Sequence, residues 1–250
     1  MFSLGKSTLY NPVYMAHMCG FKRLSMGSIA PPEQIHNAMP LSTIQLIETI
    51  RIEPGRHAPL LHGHWRRLQG SCLALGYHWP GDELTRPVQE HIQQLDAYTS
   101  HRMRLLLSHD GQYSLASNAL PATPQPVRLR LNASPLKADM FWLKHKTTHR
   151  SWYEPAQNWL AQHPAFFDVV FCNDKDEVCE GSRSNIYILD AGSSVWLTPP
   201  LACGLLPGVQ RRALLDSGKV QEARITRGDL LDSAAIRVSN ALRGWLDATL

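Results

Sequence analysis

The hydrophobic pattern becomes regular at residue 42. STIQLIETIRI (42–52) is rich in β-branched residues and predicts a strand, with PGRHAP as the turn after it. In LLHGHWRRLQGSCLALG (60–76) apolar side chains recur at 61, 65, 68, 72 and 75. That is the spacing of one helix face, and Gly76 follows as a C-terminal cap. Residues 84–98 predict a second helix. RMRLLLSHDGQYSLA predicts a hairpin with Asp110-Gly111 at its turn. SNALPATPQPV then breaks the pattern with closely spaced prolines, as a linker does.

Beyond this break the pattern predicts a strand at 127–132 and a helix over 150–162. FDVVFCNDKDEVCE and NIYILDAGSSVWLTP each predict a pair of strands joined by a turn. LPGVQRRALLDSG (206–218) predicts a helix started by Pro207 and ended by Gly218. SAAIRVSNALRGW predicts a strand running into a turn. The expected organisation is a poorly structured extension over 1–38 and a small α/β lobe over 39–118. A linker over 119–126 and a larger C-terminal lobe over 127–250 follow. The class is α/β or α+β. The first forty residues carry no sustained period, and Met39, just before the first strand, reads as a natural start.

Composition narrows the function classes. Lys plus Arg total 25 against 21 Asp plus Glu, with no block of five like charges. Nucleic acid is not expected as a partner, because its binding calls for a concentrated basic stripe. No apolar run is long enough to span a membrane. The five cysteines form no C-x-x-C pair, so reduced thiols in a cytoplasmic protein are expected.

Several short stretches can carry chemistry. LLPGVQRR offers backbone amides at a helix start, an anion site assisted by the helix dipole. Glu180, in EVCEGSRSNIYIL, closes a β-rich run, where a carboxylate either caps a turn or faces a ring nitrogen. FWLKHKTTHR (141–150) holds Lys144 and Lys146, either of which could be a surface side chain or a nucleophile. His145 and His149 are four apart, yet no Cys, Asp or Glu stands nearby, so no metal is expected. There is no G-x-S-x-G or G-x-G-x-x-G motif.

In their order along the chain, LIETIRI, LLHGHWRRLQGSCLALG, HKTTHR, EGSRSNIYIL, LTPPLACGLLPGVQR and VSNALRGW resemble one family. It is the class IV pyridoxal-phosphate aminotransferases, which contain branched-chain and D-amino-acid transaminases and aminodeoxychorismate lyase. The resemblance spans about residues 43–246. It implies a two-lobed D-amino-acid aminotransferase-like fold, with a small N-terminal lobe and a barrel-like C-terminal lobe. It also implies pyridoxal 5'-phosphate as cofactor, a small amine-bearing substrate and a homodimer.

Residue roles follow from the same resemblance. Lys146, with Arg150 four residues later, matches the cofactor-binding lysine of the lyase members. Spacing alone does not separate it from Lys144, since residues two apart share a strand face. Arg67 matches the phosphate-binding arginine, where bidentate geometry favours Arg over Lys. The amides of Val209 and Gln210 and the polar residue Asn240 match further phosphate contacts. Glu180 matches the partner of the pyridine nitrogen. Arg243, Arg102 and Arg104 are candidates for the substrate carboxylate. HKTTHR and NALRGW look closer to the lyase branch, implying release of pyruvate from 4-amino-4-deoxychorismate to give 4-aminobenzoate. The alternative is a branched-chain or D-amino-acid aminotransferase. His149 stands where stand-alone lyases carry asparagine.

Overall fold

The computed structural model describes residues 40–250; the expected extension and the candidate start at Met39 lie outside the described residues. Two sheets organise this part. The first comprises β1 (Leu46–Ile52), β2 (His101–Leu107) and β3 (Tyr113–Ala119), antiparallel in that order. Helices α1 (Leu61–Leu75) and α2 (Asp82–Gln94) cover one face of it. Ile50, Ile52, Leu68, Cys72, Leu84, Val88, Met103 and Leu105 form the core between them. Strand alternation sends Thr49, Arg51, Arg102 and Arg104 to the other face, where Thr49 pairs with Arg104 and Arg51 with Arg102.

Residues 120–126 lead to the larger sheet. Its strands are β4 (Val127–Leu131), β5 (Asp168–Cys172), β6 (Val178–Gly181), β7 (Asn185–Leu189), β8 (Trp196–Thr198), β9 (Val220–Glu222), β10 (Ala235–Asn240) and β11 (Gly244–Thr249). They run in the order β6-β5-β4-β11-β10-β7-β8-β9, and the sheet curls into a half-barrel. Val127, Leu129, Val170, Ile186, Ile188, Val238 and Leu246 form a second core. Helices α3 (Met140–Leu143), α4 (Glu154–Gln162), α5 (Val209–Asp216) and α6 (Arg227–Asp232) complete this part. The mixed α/β class and the half-barrel C-terminal lobe are as expected from the sequence. Among the described residues no helix is long and apolar enough to cross a membrane.

Several boundaries differ from the sequence prediction for local reasons. The first strand begins at Leu46, not at 42, because Leu41–Thr43 forms a 3-10 turn. The second helix covers 82–94 rather than 84–98. Asp96 ends it by accepting the backbone N–H groups of Tyr98 and Thr99 at 3.2 and 3.1 Å, the side-chain mimic of a turn. Ser151–Tyr153 is a 3-10 turn leading into α4. Pro207 precedes the Gly208 cap of α5 instead of occupying its first helical position. The short helices α3 and α6 escape a periodicity reading, since one turn or so shows no repeat. A Thr226–Asp229 capping box fixes the start of α6.

Candidate functional site

The two sheets enclose a cavity of about 880 Å³, within the range of small-molecule sites. Lys146 lies on its wall. The preceding helix α3 ends at Leu143, and Lys144 closes it as an exposed residue. The chain then extends, and its backbone joins the first sheet. Ile47 N–H donates to the Lys146 carbonyl at 2.8 Å, and Thr148 N–H to that of Gln45 at 2.9 Å. Lys144 and Lys146 are therefore not on one strand: a helix terminus turns the first to solvent and strand pairing turns the second inward.

The Lys146 amine is held well below its ordinary value, at about 7. Burial is the main cause, and Arg150 and Arg67 add repulsion, while Glu48 and Glu180 oppose them. An amine neutral near physiological pH can act as nucleophile and as proton carrier.

Arg67 reaches the cavity from α1. Glu48 grips one edge of its guanidinium, with Nε to Oε1 at 2.9 Å and Nη2 to Oε2 at 2.5 Å. Nη1 points toward the Pro207 carbonyl at 3.5 Å, beside the start of α5. Gly208, the cap residue there, offers no side-chain bond to the first turn, and the helix dipole adds positive potential. Gly208 and Val209 line the cavity; Gln210, the next residue, is half-buried and is not part of the lining. A Cβ at Gly208 would overlap Oδ1 of Asn185, which is buried and bonded through Nδ2 to the Leu206 carbonyl at 3.1 Å. Gly208→Ala is therefore expected to cost about 1–3 kcal/mol of stability, measurable by denaturant unfolding.

Glu180, at the end of β6, is 5% exposed and lines the same cavity. Tyr153 donates its hydroxyl proton to Oε1 at 2.7 Å, and Leu206 N–H donates to Oε2 at 3.1 Å. Burial pushes the carboxyl up to about 7, against these bonds and Arg150. A cation beside Glu180 would restore its ionised form.

Positive charge dominates the lining. Seven arginines and Lys146 face the cavity, and Glu180 is the one carboxylate among its described residues. Arg102 and Arg104 project from β2, and Arg243 from the β10–β11 turn, where it donates to the Pro121 carbonyl at 2.6 Å. None of the three has a carboxylate partner among the described residues. Burial and mutual repulsion depress the basicity of Arg104, near Arg102 and Arg150, and of Arg243, near Arg102 and Arg51. Trp142, Trp152 and Phe166 add aromatic surface.

Of the site residues implied by the resemblance, Arg67, Arg102, Arg104, Lys146, Glu180, Val209, Asn240 and Arg243 line one cavity and Gln210 does not; Lys144 and His149 are also outside the lining. Asn240 lines it with its amide committed to the turn. Its Oδ1 accepts the N–H groups of Leu242 and Arg243 at 3.1 and 2.8 Å, and Nδ2 donates to the Arg183 carbonyl at 3.2 Å. Sequence reasoning missed Tyr153, which no motif marks, and gave no role to Glu48. Yet Glu48 was legible as the one charged residue at an inward position of an apolar strand. His145 and His149 do not share a helix face: His145 meets Ser71 Oγ at 3.0 Å, and His149 packs edge-on against Trp142 and Trp152.

Known proteins resemble this chain in sequence and in fold. A Schizosaccharomyces pombe protein, provisionally named an aminodeoxychorismate lyase, is 30% identical over 65% of this chain and 70% of its own length. A Mesorhizobium loti structure, provisionally described as an amino-acid aminotransferase, is 34% identical with a TM-score of 0.73, covering 83% of this chain and 99% of that one. The pyridoxal-phosphate-bound form of a hypothetical aminotransferase from Mycobacterium tuberculosis shares the fold. Its TM-score is 0.65 at 20% identity, over 82% of this chain and 80% of that one. The family model described as amino-transferase class IV matches residues 45–250, and the chain belongs to that family of enzymes.

Proposed function

We propose that this chain is a pyridoxal 5'-phosphate enzyme that cleaves 4-amino-4-deoxychorismate to pyruvate and 4-aminobenzoate, a step in folate biosynthesis. The cavity residues fit the cofactor. Arg67 and the uncapped start of α5 face each other as an anion cradle, with the amides of Val209 and Gln210 as its donors. Glu180, its carboxyl raised to about 7, is suited to pair with a protonated ring nitrogen. Lys146 provides an amine neutral near pH 7. When bound, the cofactor supplies an electron sink for the bond broken next to the substrate amine. Lys146 takes the proton released at that carbon and returns it as pyruvate departs. Arg67 anchors the phosphate, and Asn240 holds the turn that carries Arg243.

The observation that carries this reading is the unpaired wall of Arg102, Arg104 and Arg243. The proposed substrate brings a ring carboxylate and an enolpyruvyl carboxylate, so it can satisfy more than one guanidinium through bidentate contacts. A branched-chain amino acid brings one carboxylate and would leave half-buried arginines unmatched. The aromatic side chains suit a planar six-membered product. The name of the S. pombe relative supports the same choice. The name of the M. loti structure keeps an aminotransferase acting on branched-chain or D-amino acids as the alternative. The reading includes a homodimer in the cytoplasm, by analogy with the family.

The test is a product assay on purified protein loaded with the cofactor. Aminodeoxychorismate is expected to give equal amounts of pyruvate and 4-aminobenzoate. Branched-chain and D-amino acids with 2-oxoglutarate are expected to give no amino transfer. Amino transfer without aromatic product would replace the lyase reading with the aminotransferase one.

A further inference from the structure

Glu48 is a carboxylate 1% exposed on the core face of β1, where its neighbours Leu46, Ile50 and Ile52 are apolar. A buried carboxylate is retained only where its partners satisfy it. Two partners do so here, both from one face of α1: Arg67 with two hydrogen bonds, and His64, whose Nδ1 lies 2.5 Å from Oε2. His64 is fully buried. Residues three apart on a helix are neighbours, so strand and helix together make a two-armed clamp.

The clamp has a direction. Glu48 occupies the Nε edge of Arg67, and a guanidinium carries five donors in a fixed plane. Glu48 makes no bond to Nη1, which points toward the start of α5 and makes only a long contact there, 3.5 Å to the Pro207 carbonyl. The preceding residue on β1, Ile47, donates its N–H to the Lys146 carbonyl. One strand therefore fixes both Arg67 and the lysine backbone, and so the separation between them.

We infer that Glu48, braced by His64, is the positioning residue that aims Arg67 at the cofactor phosphate and sets its distance from Lys146. This rests on the reading of Arg67 as the phosphate residue. The test titrates ligand-free full-length protein separately with pyridoxal phosphate and with pyridoxal, which lacks the phosphate, following absorbance at the visible edge. A purely structural role for Glu48 would weaken both ligands alike, whereas a positioning role lowers the preference for the phosphorylated one.

Glu48→Gln is expected to reduce that preference roughly ten- to a hundredfold, by analogy with the loss when a partner that orients a metal ligand is removed. His64→Leu is expected to reduce it less, and His64→Asn, whose amide can stand in for Nδ1, to restore it. The preference is expected to be unchanged in Glu53→Gln, a more exposed acid of the same segment. An unchanged preference in Glu48→Gln, with Arg67→Lys reducing it, would overturn the proposal alone. An unchanged preference in Arg67→Lys would overturn the phosphate reading and the proposal with it. Should Glu48→Gln fail to fold, the His64 pair decides: equal preferences in His64→Leu and the parent protein would overturn the clamp.

Discussion

Lys146→Ala is expected to abolish the visible-edge absorption of the cofactor-loaded protein, while Lys144→Ala retains it. Turnover should fall by at least the 10²–10⁴-fold that a positioned proton carrier contributes. The reason is that only Lys146 is turned into the cavity, whereas Lys144 is exposed at the end of α3. A sign test comes from stability. The folded protein lowers this amine from 10.5 to about 7, so it favours the neutral form. Above pH 10.5 the amine is neutral folded and unfolded, and no penalty exists. As pH falls toward 7 the unfolded chain takes up a proton that the folded one resists, and stability is lost. Ligand-free Lys146→Met should therefore be more stable than the parent below pH 7, by about 1 kcal/mol or more, with the gap closing above pH 10.5. Paired denaturant titrations across that range measure it. A constant gap would show that the fold does not hold the Lys146 amine low, and retention of the absorption in Lys146→Ala with its loss in Lys144→Ala would move the chemistry to the other lysine.

The largest expected loss of stability lies beneath Glu180. Asp168 is fully buried at the start of β5 and organises the turn after β6. Its Oδ1 accepts Ser182 Oγ at 2.7 Å and the Val169 N–H at 2.8 Å. Its Oδ2 accepts Ser184 Oγ at 2.6 Å and the Arg183 N–H at 3.1 Å. Burial raises this carboxyl, and the two serine bonds oppose the rise. Asp168→Ala would orphan all four donors and is expected to cost on the order of 3–5 kcal/mol.

Asparagine does not rescue the position. Each carboxylate oxygen receives a backbone N–H, so either orientation of an amide sets its NH₂ against a donor. Asp168→Asn is expected to lose about 1–3 kcal/mol, read as a lower urea midpoint at unchanged slope. An asparagine variant with the parent midpoint would show that the turn is held by its strands alone.

The sequence by itself determined the elements whose signals are local. The α1 face, the Asp110-Gly111 hairpin and the Gly76 cap are each set by period or by backbone freedom, and Gly76 takes φ 72° as a left-handed cap must. The order of motifs carried the family, and each motif contributes lining residues to the one cavity, from Thr49 in the first to Asn240 in the last. Tertiary structure decided what depends on residues far apart. Lys144 and Lys146 are equivalent by spacing and differ only because strand pairing with Gln45 and Ile47 captures the second. The Glu48–His64–Arg67 clamp joins a strand to the helix that follows it, and Tyr153 meets Glu180 across 27 positions. The Arg102–Arg104–Arg243 wall is made by two sheets, and no local pattern records which face of a strand looks across at another. Side-chain chemistry is written along the chain, whereas charge balance and burial belong to the cavity that the fold closes.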